Sequence, residues 1–142
     1  MKQLAAWFVA VAALVVATSS LAATAGMGWS ARLTAAQEVP KQAVKVTGAK
    51  GAFHGTLTGT TLKWRLTFSG LSGPASAAHI HMGAMGKAGG VVVALCGPCK
   101  SGVSGSSKLT KALIAAAAKH KLYVNVHTAK NPNGEIRGQI AP

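Results

Sequence analysis

Two histidines stand one residue apart in "AHIHMG", Ala78 to Gly83, and a third closes "LYVNVHT", Leu122 to Thr128. Alternating residues on a strand share a face. His79 and His81 therefore project together, away from Ile80, and His127 projects with Tyr123 and Asn125, away from Leu122, Val124 and Val126. Imidazoles two residues apart on a strand stand roughly 6.5–7 Å apart at Cα. They can grip one ion if a neighbouring strand brings a third. Imidazole suits copper and zinc, and a thioether from Met82 or Met85 would tilt the choice toward Cu(I). Arg137, in "EIRGQI", has the parity that would place it on the same side. A guanidinium has no lone pair to give, so its expected place is the rim of the site, attracting anions. The plainer reading is three polar residues on the wet outer face of a sheet. If the site binds metal, alanine at His81 or His127 is expected to remove most of the affinity while leaving the fold intact, because surface imidazoles carry little core packing.

The elements that must position these residues are strands. "TLKWRLTF" alternates Leu62, Trp64, Leu66 and Phe68 against Thr61, Lys63, Arg65 and Thr67, a half-buried strand. "AFHGTLTG" precedes it across a Gly59-Thr60 turn, and "SARLTA" (30–35) is a weaker first strand. "AAHIHM" (77–82), "VVVAL" (91–95), "LYVNVHT" (122–128) and "EIRGQI" (135–140) follow, separated by Gly, Ser, Pro and Asn. Short strands with frequent turn signals predict an all-β sandwich or barrel. Expected core residues are Trp64, Leu66, Phe68, Ile80, Val92, Val124, Val126 and Ile140. "NPNGE" reads as a turn with its positive φ at Asn-Gly. The alanine-rich "TKALIAAAAKHK" predicts a short helix over 110–119, capped by Ser106 or Ser107 and crossing one open end of the strands.

Residues 1–25 read as a signal peptide: one lysine, an apolar run too short for a membrane span, then Ala23-Thr24-Ala25 before the cut. The domain is then 26–142, secreted or periplasmic, with no transmembrane segment after cleavage. Export implies an oxidising compartment. "LCGPCK" copies a thioredoxin-type redox motif, but such chemistry needs its first cysteine at a helix N-terminus. The following "SGVSGSS" cannot start a stable helix. A structural Cys96–Cys99 disulfide is the stronger reading.

The 142 residues hold 15 Lys+Arg against two acids, Glu38 and Glu135, for a net charge of +13. The bases are scattered singly, with no aromatic interleaving, which argues against specific nucleic-acid recognition. A solvated basic coat, loosely drawn to an acidic cell-surface polymer, fits better. With so few acids, Glu38 and Glu135 are expected to be committed, to Arg137 or as carboxylates orienting imidazole Nδ1–H groups.

Taken together, "LTAAQEVP" (33–40), "AHIHMG" (78–83) and "LYVNVHTAKNPNGEIRGQI" (122–140) resemble the CHRD family, named after chordin and widespread in secreted microbial proteins. The resemblance implies an immunoglobulin-like Greek-key β-sandwich or barrel and no settled activity. It also brings a likeness to Cu/Zn superoxide dismutases. There His79 and His81 match the first copper-ligand pair, His127 the later histidine and Arg137 the anion-attracting arginine. Asn125 joins Arg137, Glu38 and Glu135 in the expected surrounding shell. The histidine that bridges copper and zinc is missing, and so is the acidic zinc ligand. The expectation is a non-enzymatic binding module with a histidine copper site. The alternatives are a copper-dependent oxidoreductase related to the dismutases and a metal-free module for an unknown protein partner.

Overall fold

The structure, a computed structural model, describes residues 25–142. Apart from Ala25, the expected signal peptide lies outside the described residues. Eight strands alternate with turns: β1 (Met27–Thr34), β2 (Lys50–Thr58), β3 (Thr61–Ser69), β4 (Ala75–Met82), β5 (Val91–Cys96), β6 (Val103–Lys108), β7 (Leu122–Thr128) and β8 (Ile136–Gln139). They form one antiparallel sheet in the order β5-β4-β7-β8-β1-β2-β3-β6. The end strands β5 and β6 touch each other. Between sandwich and barrel, the hydrogen bonding therefore selects one continuous sheet curled almost shut.

The apolar parity of each strand points inward. Trp64, Leu66, Ile80, Val124, Val126 and Ile140 are buried, and Phe68 and Val92 pack on them half-buried. Phe53 stacks on Trp64 with ring centroids 6.5 Å apart. The expected turn at Gly59 forms with a positive φ at that residue, and Gly134 in "NPNGE" has the positive φ expected of it. The helix α1 (Lys111–Ala118) buries Ala117 and packs Leu113 and Ile114 on the core. Its cap is Thr110, whose hydroxyl accepts from Leu113 N at 3.2 Å. Ser106 and Ser107 instead belong to β6.

That strand is the element the sequence hides. "VSGSSK" has the composition of a loop because its inward positions must be small. A Cβ on Gly105 would lie 2.4 Å from the Trp64 indole, and Ser107 Oγ accepts from Trp64 Nε1 at 3.0 Å. The large ring on β3 fills the space that β6 leaves. Cys96 ends β5, and Cys99 is bonded to it and bridges to Ala75 at the start of β4. The motif runs on into β6, so neither sulfur sits at a helix start. Among the described residues no helix is long and apolar enough to cross a membrane.

Candidate metal centre

Strand order places β4 beside β7, with Ala77 opposite His127, His79 opposite Asn125 and His81 opposite Tyr123. The shared parity then brings the imidazoles together. One ring nitrogen from each of His79, His81 and His127 lies within 4.8 Å of the others. Two metal–nitrogen bonds of about 2 Å hold ligand nitrogens at most about 4 Å apart, so small side-chain rotations would close the three around one ion. The His79 and His127 rings approach most closely, with Nδ1 of the first 3.1 Å from Nε2 of the second.

The face that carries them is not wet. Every residue of β7 is buried, because two segments cover it. The first is the stretch from Ala35 to Val46, tied down by Gln42 Nε2 to Glu135 O and by paired bonds between Val44 and Asn131. The second is the β4–β5 loop, held by Arg137 Nη2 to Ala84 O and Gln139 Nε2 to Gly83 O. His81 is only 9% exposed and His127 only 8%. Alanine at these positions would therefore leave a cavity, contrary to the expectation for surface imidazoles. His54 and His120 do lie exposed.

Main-chain carbonyls orient the rings. Gly89 O takes His81 Nδ1 at 2.9 Å, and Pro132 O takes His127 Nδ1 at 2.9 Å. A carbonyl only accepts, so both Nδ1 atoms carry the proton and both Nε2 atoms present a lone pair. His81 Nε2 is buried with no hydrogen-bond partner. Burial lowers the His127 pKa to about 4, the Pro132 bond opposing and His79 and His81 adding to it. Burial likewise lowers His79, with the His81 charge adding to it, and lowers His81, with the Gly89 bond opposing and the Arg137 charge adding. The cluster is three neutral imidazoles at physiological pH, the form a metal requires.

The expected carboxylate orienters are elsewhere. Glu38 is fully buried and accepts from Asn125 Nδ2 at 2.6 Å. Glu135 is also fully buried, and binds Ser72, Thr128 and Asn131 rather than an imidazole. Burial alone would raise Glu135, but these donors outweigh it and hold the carboxyl below the ordinary range. Arg137 is no rim residue: it is 1% exposed, with Cζ 3.5 Å from the centre of the Tyr123 ring. Its own pKa is lowered by burial, which leaves it a cation. His81 stacks on the same tyrosine, centroids 4.9 Å apart. Met82 has the parity of Ile80, not of the histidines, and Met85 is 75% exposed, so the thioether ligand loses its support.

Sequence reasoning missed Tyr123 as a site residue. Its hydroxyl donates to Gly89 O and accepts from Gly89 N, at 3.2 and 3.1 Å, fixing the peptide that holds His81. Its parity with His127 was the available signal. Gly89 and Pro132 act through their backbones and gave none. Among the described residues no further Cys, Asp or Glu joins the three histidines as a ligand group.

No curated protein and no solved structure matches the chain, so the dismutase likeness rests on motif order alone. The match over residues 29–140 is to the CHRD domain. It takes in both histidine strands, Arg137 and the covering segment that holds Glu38. By that match the chain belongs to the CHRD-domain family.

Proposed function

We propose that this protein is an exported extracellular binding module that holds one metal ion on His79, His81 and His127, copper in preference to zinc. The observation that carries the reading is His81 Nε2, a buried lone pair without a partner beside two other neutral imidazoles. Leaving such an acceptor unsatisfied costs about 1–3 kcal/mol, and ligation removes that cost. Fixed Nδ1–H bonds at His81 and His127 lower the reorganisation that ligation requires. His79 joins by taking the tautomer with its proton on Nε2, which frees Nδ1, the atom that otherwise donates to His127 Nε2. Three nitrogen donors without a carboxylate favour copper over zinc by the usual divalent order. The leader-like N-terminal stretch and the oxidised cysteine pair support export. Against a dismutase-like oxidoreductase stand the committed carboxylates and an arginine packed under Tyr123.

Competition titration of the metal-stripped protein with Cu2+ and Zn2+ tests this. One ion should bind, copper more tightly. His81→Gln and His127→Gln, which keep most of the buried volume, should each weaken copper at least about tenfold. Equal affinity in wild type and both variants would refute the site.

A further inference from the structure

Bases that look scattered in the sequence are gathered by strand register. On the outward side of β1, β2 and β3, Ala52 stands at the centre, with Arg32 beside it on β1 and Thr67 on β3. Lys50 and His54 lie two residues either side of Ala52 on β2 and share its face. Arg32, Lys50 and His54 are all exposed. A single methyl ringed by longer side chains leaves a depression, an open groove of about 560 Å³. Ligand sites ordinarily measure roughly 300–1,000 Å³. One row further along, His54 pairs with Arg65 and Thr56 with Lys63, lining an adjoining hollow. Positive charge thus runs the length of the face. No acidic side chain offsets it, because Glu38 and Glu135 are both fully buried.

We propose that this face binds an acidic polysaccharide, a sugar chain bearing carboxylates or sulfates. Charge complementarity fixes the sign of the ligand. The other side chains fix its class. The outward positions of the three strands carry only Gly, Ala, Ser, Thr, Lys, Arg and His. One half-buried ring, Phe68, reaches the groove, not the run of exposed rings on which single-stranded nucleic acid stacks successive bases, and Trp29, Phe53 and Trp64 are buried in the core. No large apolar side chain rises to enter a bilayer. The shallow floor at Ala52 suits the C–H face of a pyranose ring. Arg32 and Lys50 suit its anionic group, and Ser30 and Thr67 its hydroxyls. The groove is separate from the histidine cluster, so either reading can fail without the other.

The test is binding of an alginate hexasaccharide by the full protein at low and moderate salt. Arg32→Glu/Lys50→Glu and Ala52→Trp, the second filling the groove without changing charge, should each weaken binding at least about tenfold. Lys111→Glu/Lys130→Glu makes the same charge change at exposed positions elsewhere, and should stay within about threefold. His81→Gln should leave binding unchanged, and maltohexaose should not bind. Equal losses in the two charge variants would reduce the groove to net charge. No alginate binding, no effect of Ala52→Trp, or equally tight capture of oligo-dT or anionic vesicles through Arg32 and Lys50 would each overturn the proposal.

Discussion

Glu38 is a fully buried carboxyl whose pKa is raised from 4.5 to about 7. Burial is the dominant cause, and the Arg137 charge and the Asn125 bond only partly offset it. Two oxygens, Glu38 Oε2 and Asn125 Oδ1, are buried without partners. Both press on Gly134, where a Cβ would lie 2.6 Å from Asn125 Oδ1 and 2.7 Å from Glu38 Oε2. A proton on the carboxyl removes the buried charge while the Asn125 Nδ2 bond to Oε1 remains. Between pH 4.5 and about 7 the folded chain then keeps a proton that the unfolded chain has released. Stability must fall as pH rises through that window and level off above it. Each pH unit is worth about 1.4 kcal/mol, so the full loss is about 3 kcal/mol. Glu38→Gln is neutral at every pH and cannot show this loss. Urea denaturation of both proteins between pH 4 and 8.5 should give curves within about 1 kcal/mol of each other at acid pH. They should separate in favour of the variant, by about 3 kcal/mol at pH 8. Histidine titration is common to both chains and cancels in the difference. A stability difference that does not change with pH would refute the buried-acid reasoning.

Other outcomes follow from the same network. The folded His127 resists protonation down to about pH 4 against an ordinary 6.5, and His79 and His81 are shifted the same way. The unfolded chain therefore binds more protons in that interval, and this contribution to stability is lost as pH falls through it. Thermal melts in the Glu38→Gln background should show a lower Tm at pH 4.5 than at pH 7, and His127→Gln should flatten the trend. Glu135→Gln places an amide among donors from Ser72, Thr128 and Asn131. It should cost about 2–3 kcal/mol in urea, where a loss under about 0.5 kcal/mol would contradict the network. The Cys96–Cys99 bridge has a sequence separation of only 3. Cys96→Ser/Cys99→Ser should cost at most about 2 kcal/mol, and the wild type should not reduce insulin.

Parity carried most of what the sequence revealed. "LYVNVHT" and "AHIHMG" placed three imidazoles on one side of their strands because alternation is a local property of the backbone. The assumption that failed was solvent on that side. Nothing local in "LTAAQEVP" says that Glu38 folds over β7, since the covering segment is held by bonds to residues nearly ninety positions away, Asn125 and Asn131. Burial then changed the role of each neighbour. Arg137 packs on a ring instead of facing an ion, and both glutamates serve the cover instead of the histidines. The sequence-level view of Ser and Gly as linker residues failed at β6 for the complementary reason, because Trp64 on another strand supplies its bulk. Scattered bases became a face only once β1, β2 and β3 were in register.

Copper held by three neutral imidazoles, His81 and His127 buried and His79 half-buried, is the reading on which the proposed function depends. Its most direct test is the metal content of the exported protein, purified without chelator and without added metal, beside His81→Gln prepared identically. The wild type should carry one copper per chain, and the variant should lose it. Zinc in its place, or a copper content that His81→Gln leaves unchanged, would contradict it.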